Sequence, residues 1–447
     1  MILGSKLTLN YETRVLVIAS PDDRLGVLAS KLNAEGWSVA VVPDIALAVL
    51  AIESASVDAV LVDLDQIEVP QDVVLLRQAA TGRYLPILAI GGGLCAVAEG
   101  LVDLRLSESP HPAQLGLRLE QLVRAAVAEE EFLLRAETMA SYGVSLDLPK
   151  EEHNPVTVLA VGSADHRFLA LSNSLCKAGV QVVAAPTPYT AFDYLHERTF
   201  DATILWGGEN RQVAMSIASG MKRNTRLYHI PIMLYLQRGD DVNLNELYMR
   251  GFADVAGAEI SEDETAERIM ALAFNHRRRI AIRRALDSVR VSELTDPVTG
   301  LFGSEPFAMH LGRVYAASMV RKRKLSLCVL KVVRTDTLNA INRGGWLEKA
   351  LPQVGAMISR LVRVEDTAAC LSPETYALMM PAANAESARL AAERIAAVIA
   401  CTAFEAGEGR SPFVIEFDIG VAEMRDGEGP IQLLERAVAD ARHKVAA

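Results

Sequence analysis

The run Val57-Asp58-Ala59-Val60-Leu61-Val62-Asp63 is matched further along the chain by Phe200-Asp201-Ala202-Thr203-Ile204-Leu205-Trp206. Both runs are nearly unbroken apolar stretches after the aspartate, a pattern typical of parallel strands buried on both faces. A second pair repeats in step, Tyr84-Leu85-Pro86-Ile87-Leu88 and His229-Ile230-Pro231-Ile232-Met233. A period of about 140 residues indicates a duplicated domain and not a solenoid of short repeats.

Short β-branched stretches alternate with amphipathic ones around these runs. The predicted strands of the first half cover 14–18, 38–42, 59–64, 86–90 and 102–106, and those of the second half cover 157–161, 182–185, 202–206, 232–236 and 253–256. Helix-prone stretches at 112–139 and 262–291 close the two halves. This alternation predicts a doubly wound α/β fold for each half.

A different pattern of helices and strands begins at Leu294. The predicted domains are therefore 12–140, 155–290 and 294–447, with a polar linker at 141–154. Three domains suit a chain of 447 residues, at roughly 150 residues per domain.

Composition narrows the classes of partner. The net charge is −11, which argues against a general nucleic-acid binder and leaves room for a small anionic ligand held by a few arginines. No apolar stretch approaches the roughly 18 residues of a membrane span. The five cysteines lack metal-site spacing, so we expect neither disulfides nor a metal, and we expect a cytoplasmic location.

The first two domains resemble the CheY-like receiver domains of response regulators. The third resembles the GGDEF domain of diguanylate cyclases, an α+β, nucleotide-cyclase-like fold, through Leu294-Thr295-Asp296-Pro297-Val298-Thr299-Gly300-Leu301-Phe302 and Phe417-Asp418-Ile419-Gly420-Val421-Ala422. The first stretch is similar to the family's opening motif D-x-L-T-G-L, and the second to its S-I-G-V-A strand. The order receiver–receiver–GGDEF is that of PleD-type response regulators, of which the chain resembles a degenerate paralogue.

The receiver resemblance implies a phosphoacceptor aspartate with a pair of Mg²⁺-binding acids and a lysine. In the first domain Asp63 is the phosphoacceptor candidate, but the acid pair reads Ala19-Ser20 and the lysine position reads Ser109. We therefore expect Asp63 to stay unphosphorylated. In the second domain Trp206 takes the phosphoacceptor position, which predicts a packing module that supports a homodimer through the receiver domains.

The GGDEF resemblance implies a metal-binding aspartate and an acidic hairpin, and both are eroded. Lys331 replaces the metal ligand, and the hairpin reads Ser372-Pro373-Glu374-Thr375-Tyr376, with only Glu374 in place. The chain is therefore predicted not to be an enzyme, with an active diguanylate cyclase as the alternative. Asn339, Glu348 and Glu374 can form a residual guanine pocket that binds GTP without turnover; the alternative is that they are ordinary polar residues on a solvated surface.

The R-x-x-D turn Arg363-Val364-Glu365-Asp366 is the strongest candidate ligand site. The resemblance implies that Arg363, Asp366 and Arg394 bind cyclic di-GMP, and guanidinium groups do pair with guanine O6/N7 and with phosphates. The alternative is a solvated turn with a surface ion pair. The basic run from His276 to Arg290 is either a solvated helix face or a source of one further ligand-binding arginine.

Together these features predict a cyclic di-GMP effector that needs no cofactor. The resemblance implies a scaffold or adaptor in two-component, cell-cycle signalling that meets protein partners of regulated proteolysis, in the cytoplasm and at a cell pole. The second alternative, beside the active cyclase, is a docking platform that needs no ligand.

Overall fold

A computed structural model describes residues 14–20, 23–54, 57–67, 70–80, 83–91, 102–106, 110–146, 154–163, 165–207, 211–224, 226–236, 242–288, 294–407 and 409–443. The chain forms two compact units. The parallel-sheet unit comprises Met1–Ala126 and Pro149–Ala281, and the antiparallel-sheet unit comprises Val127–Leu148 and Ile282–Ala447. Two of the three boundaries, 126/127 and 281/282, fall inside long helices, so each of these helices contributes residues to both units.

The parallel-sheet unit contains two five-stranded sheets, each with α/β connectivity. The strands of its first sheet are β1 (Arg14–Ile18), β2 (Ser38–Val42), β3 (Ala59–Asp63), β4 (Ile87–Ile90) and β5 (Leu104–Leu106), and the helices are α1 (Arg24–Ala34), α2 (Ile45–Ser54), α3 (Gln71–Ala79) and α4 (Pro112–Ala140). All neighbouring strands are parallel, in the order β2-β1-β3-β4-β5. The order reverses between β1 and β3, and in doubly wound sheets such a reversal opens a crevice at the carboxyl ends of the strands.

The second sheet repeats this order. Its strands are β6 (Thr157–Val161), β7 (Gln181–Ala185), β8 (Ala202–Trp206), β9 (Ile232–Tyr235) and β10 (Asp254–Ala256), and its helices are α5 (His166–Lys177), α6 (Pro188–Glu197), α7 (Arg211–Arg223), α8 (Leu244–Met249) and α9 (Glu262–Ser288). The order β7-β6-β8-β9-β10 matches that of the first sheet. The predicted strands of both halves are confirmed, with bounds that move by a residue or two.

A buried charge cluster joins α4 to the second sheet within this unit. Asp254 is completely buried, and its carboxylate accepts from Arg268 (Nε to Oδ2, 2.9 Å) and from Gln114 (Nε2 to Oδ1, 2.9 Å). The Arg118 guanidinium lies 3.6 Å from the same carboxylate. Burial raises the pKa of Asp254, but the two arginines outweigh it and hold that pKa below its usual value. Removing one partner from such a cluster costs about 3–5 kcal/mol.

The antiparallel-sheet unit has a four-stranded sheet in the α+β class. Its strands are β11 (Leu325–Val332), β12 (Thr367–Ser372), β13 (Thr375–Pro381) and β14 (Phe417–Glu423), and its helices are α10 (Ser304–Val320), α11 (Asp336–Arg343), α12 (Trp346–Leu361), α13 (Ala385–Ala400) and α14 (Pro430–His443). The order is β12-β13-β11-β14, with every pair antiparallel. Alternate residues of β11 enter two different cores, Leu327 on one face and Cys328 on the other, so the sheet is buried on both faces.

Among the described residues, no helix combines the length and the apolar content that crossing a membrane requires.

Candidate functional site

The Asp63 carboxylate lies at the carboxyl end of β3 and is bound by an arginine. Asp63 is 1% exposed, and Arg24, from the first turn of α1, donates through Nε to Oδ2 at 2.7 Å and through Nη2 to Oδ1. The same Nη2 donates to Asp65 Oδ2 at 2.7 Å. The hydrogen bond to Asp63 raises the pKa of Arg24 above its usual value. The Arg24 guanidinium therefore lies beside the Asp63 carboxylate, where the receiver resemblance implies a Mg²⁺ ion.

The surroundings of Arg24 also depart from the receiver pattern. Gly91 has a positive φ of 73°, and a Cβ at this position would come within 2.5 Å of Arg24 Nη2. This glycine therefore leaves room for the guanidinium. Ala19 and Ser20 supply no carboxylate, and Ser109 lies outside the described residues.

Trp206 fills the equivalent place in the second sheet with an aromatic cluster. Its ring stacks on Tyr235 at 4.4 Å between centroids and meets the edge of Phe168 at 5.4 Å. Its Nε1 donates to Asp165 Oδ2 at 3.2 Å. Burial raises the pKa of Tyr235 to about 12, and the Arg167 guanidinium covers its ring at 5.0 Å. The cluster occupies the end of β8 with packing groups in place of an acceptor carboxylate.

The R-x-x-D segment forms a closed turn between α12 and β12. The Arg363 backbone N–H donates to Asp366 Oδ2 at 3.2 Å, and the Asp366 N–H donates to the Arg363 carbonyl at 3.2 Å. Asp366 is 8% exposed, whereas Arg363 is half-buried. The carboxylate thus fixes the turn, and the Arg363 side chain borders the cleft next to it.

That cleft gathers three arginines. It is open to solvent and is lined by Arg363 and Asp366 of the turn, Arg135 of α4 and Arg283 of α9. Arg283 Nη2 donates to the Val362 carbonyl at 2.9 Å. The other lining residues are mixed: Met139, Leu294 and Phe302 are apolar, whereas Thr295, Ser359 and Thr367 are polar. Arginines beside both kinds of side chain suit an anionic ligand that also has an apolar face, such as a nucleotide.

The remaining predicted arginine lies at the other side of the turn. Arg394 is exposed on α13 and donates through Nη2 to the Leu361 carbonyl at 3.3 Å, just before the turn begins. The structure therefore brings Arg394 close to the R-x-x-D segment, although it is not among the described residues that line the cleft. Arg290, at the end of the basic run, lies outside the described residues.

The predicted guanine pocket is crossed by an arginine that the sequence analysis did not single out. Arg334 Nε donates to Glu374 Oε2 at 2.6 Å, and its Nη1 donates to Asn339 Oδ1 at 3.1 Å. Lys331 is exposed near the end of β11, paired in register with Thr375 at the start of β13. The structure therefore brings Glu374 and Asn339 together. Glu348 lies exposed in the first turn of α12.

Sequence reasoning missed three arginines, namely Arg24, Arg135 and Arg334. Arg24 and Arg135 are distant in sequence from the groups that they bind, and Arg334 lies in a segment with no motif. Spacing along the chain therefore gives no signal for any of them. The sequence did offer one signal for Arg334. Two positively charged residues, Lys331 and Arg334, lie three positions apart where the resemblance implies a metal-binding carboxylate, and positive charges disfavour a metal ion. Among the residues that the structure describes, no three His, Cys, Asp or Glu side chains are grouped to hold a metal ion.

Comparison with known proteins assigns the third domain. The family model "Diguanylate cyclase, GGDEF domain" matches residues 293–443, so the chain contains a GGDEF domain. The match covers the antiparallel sheet, the R-x-x-D turn and the predicted guanine pocket with Arg334. No curated protein matches the chain.

Solved GGDEF structures are similar to part of this chain. The FimX GGDEF domain from Pseudomonas aeruginosa is 21% identical, with a TM-score of 0.31, over 34% of this chain and 93% of its own. The GGDEF domain of DgcB from Caulobacter crescentus, solved in complex with c-di-GMP, is 22% identical, with a TM-score of 0.32, over 35% of this chain and 93% of its own. The diguanylate cyclase SiaD from P. aeruginosa, solved with its activator SiaC, is 21% identical, with a TM-score of 0.32, over 40% of this chain and 69% of its own.

Proposed function

We propose that this chain is a catalytically inactive GGDEF protein that binds cyclic di-GMP at the R-x-x-D turn and acts through protein contacts. The observation that carries the proposal is the cleft beside the turn, which is lined by Arg363, Arg135 and Arg283 together with the buried Asp366. Guanidinium groups bind guanine O6/N7 and phosphate oxygens, and a carboxylate accepts from guanine N–H groups. Arg394 lies close to the R-x-x-D segment, on the Leu361 carbonyl, and is the further arginine that the resemblance implies for this ligand.

The inactive half of the proposal rests on charge. Diguanylate cyclases need carboxylates for the Mg²⁺ that binds the triphosphate, because hard cations prefer oxygen ligands. Lys331 supplies a positive charge instead, and Arg334 engages Glu374 and Asn339. A second Mg²⁺ site is equally disfavoured at Asp63, because Arg24 already binds that carboxylate.

The proposed output is that of a scaffold. Resemblance to PleD-type response regulators supports an adaptor role in cell-cycle signalling and regulated proteolysis, with a homodimer formed through the two parallel-sheet domains and a cytoplasmic location at a cell pole. The aromatic cluster at Trp206 fits this role, since it makes the second domain a rigid packing element and not a phosphorylation switch.

Calorimetric titration with cyclic di-GMP tests the proposal. Arg363→Ala should weaken binding by about one to two decades, because a bidentate guanidinium contact to guanine is worth about 1–3 kcal/mol. The matched control is Arg360→Ala, which removes the same charge from an exposed position on α12, and it should bind like the native chain.

Asn339→Ala separates the two candidate pockets. This variant should bind like the native chain if the ligand occupies the turn, and should lose binding if the ligand occupies the former guanine pocket. If Arg363→Ala keeps the native affinity and Asn339→Ala loses it, the ligand binds in the former guanine pocket and not at the turn. If the native chain does not bind cyclic di-GMP, the alternative of a docking platform that needs no ligand is favoured.

A further inference from the structure

A buried polar cluster connects α4 to the R-x-x-D turn. Its centre is Glu131, which is 2% exposed. Glu131 Oε1 accepts from His310 Nε2 at 2.7 Å, from Thr367 Oγ1 at 2.7 Å and from Arg135 Nε at 3.1 Å. These partners come from α10, from the start of β12 and from α4 itself, so one carboxylate oxygen gathers three elements.

Both ring nitrogens of His310 are engaged. Thr138 Oγ1 lies 3.1 Å from His310 Nδ1, within hydrogen-bond distance, and donates to the Leu134 carbonyl at 2.9 Å. His310 is completely buried, and its other nitrogen faces Glu131. Burial raises the pKa of Glu131, but His310 and Arg135 together outweigh it and hold that pKa below its usual value. The carboxylate is thus charged and forms an ion pair with Arg135.

Arg135 carries this cluster to the turn. One side of its guanidinium binds Glu131, and Nη2 donates to the Asp366 carbonyl at 2.9 Å and to the Val364 carbonyl at 3.4 Å. Thr367, which also binds Glu131, directly follows Asp366 in the chain. The backbone of the R-x-x-D turn is therefore held from α4 at two carbonyls and one hydroxyl.

We propose that Arg135, oriented by Glu131, is a positioning residue for cyclic di-GMP, and that ligand binding at the turn is coupled to the seating of residues 130–140 of α4. The inference rests on the proposed function, because it assumes that the turn binds this ligand. Buried charges make the coupling steep, since a buried ion pair that loses one partner leaves an uncompensated charge. Thermodynamic coupling is reciprocal. If the ligand shifts the equilibrium between two positions of α4 by some factor, the ligand affinities of these two positions differ by the same factor.

The first test is a titration series with a matched control. Arg135→Ala and Glu131→Gln should each weaken cyclic di-GMP binding by about tenfold, a typical coupling between sites. Arg135→Lys should restore part of the loss, because an ammonium can still donate to a turn carbonyl. The control Glu137→Gln makes the same charge change at a position of α4 whose side chain is 65% exposed, and it should bind like the native chain.

The second test uses hydrogen exchange and compares the native chain with Arg135→Ala. In the native chain, cyclic di-GMP should slow amide exchange both at 360–368 and at 130–140. In Arg135→Ala at saturating ligand, the slowing should be confined to 360–368. A purely structural role for Arg135 would change basal exchange in α4 without changing where the ligand acts.

The outcomes separate the two proposals. If the native chain binds the ligand but exchange at 130–140 does not respond, or if Arg135→Ala and Glu131→Gln keep native affinity, the coupling is wrong and the effector function stands. If the native chain does not bind cyclic di-GMP at all, both proposals are overturned.

Discussion

Replacing Trp206 with alanine should lower the free energy of unfolding of the parallel-sheet unit by about 3–5 kcal/mol, the range for a buried tryptophan truncated to alanine. Trp206 is 7% exposed, so truncation leaves a cavity in the core. It also removes the stack on Tyr235 and the edge contact with Phe168, and each such aromatic pair contributes about 0.5–1.5 kcal/mol beyond its buried area. Asp165 loses the indole N–H but keeps its bond to the Phe168 N–H.

The assay is urea denaturation of the full chain, combined with native-state hydrogen exchange read at 157–161 and 202–206. Exchange at these strands assigns the loss to the parallel-sheet unit. The matched control is Tyr189→Ala, an aromatic side chain on α6 that is 85% exposed, where a surface substitution should change stability by no more than about 0.5 kcal/mol. A loss below about 1 kcal/mol for Trp206→Ala would refute the assignment of this cluster as a packing core.

Three further outcomes are expected. GTP with Mg²⁺ should yield no cyclic di-GMP, because Lys331 supplies a positive charge where the GGDEF resemblance implies a metal ligand; product that disappears in Glu374→Ala would contradict this. A small phosphodonor should leave Asp63 unmodified, because Arg24 engages its carboxylate, and a phosphorylated native chain seen by mass spectrometry would show that the site is active. The parallel-sheet unit should lose up to about 1.4 kcal/mol per pH unit as pH falls from 6.5 towards 3, because burial, together with nearby cationic groups, lowers the pKa of His276 to about 3 while the unfolded chain takes up the proton near 6.5. His276→Gln should flatten this profile in pH-dependent denaturation, and identical profiles would rule out that origin.

The strands of the parallel sheets were accessible from sequence because continuous apolar runs report burial on both faces. The same runs could not show which strands lie at the edge. Ser38–Val42 has the apolar composition of a central strand, but it is an edge strand and largely exposed. Strand order depends on how the crossovers place each element, and a run of apolar residues carries no information about its neighbours.

The candidate sites were predicted as positions and not as contacts. Motif register located Asp63 and Arg363, because each sits at a defined place relative to a strand. The groups that bind or brace them, Arg24 and Arg135, come from helices whose sequences fit any solvated or half-buried helix. Their roles depend on the reach of a long side chain across the fold, which spacing along the chain does not encode.

The burial of Asp254 restricts where the gene can be divided without destabilising the protein. Asp254 pairs with the charge of Arg118 and accepts a hydrogen bond from Gln114, and both of these residues precede the linker between the two parallel sheets. A gene fragment that ends or begins in that linker leaves charged or polar groups in an apolar interior without their partners. A recombination break in that linker therefore separates Asp254 from two of its partners, whereas a fragment that keeps residues 112–288 together preserves this cluster.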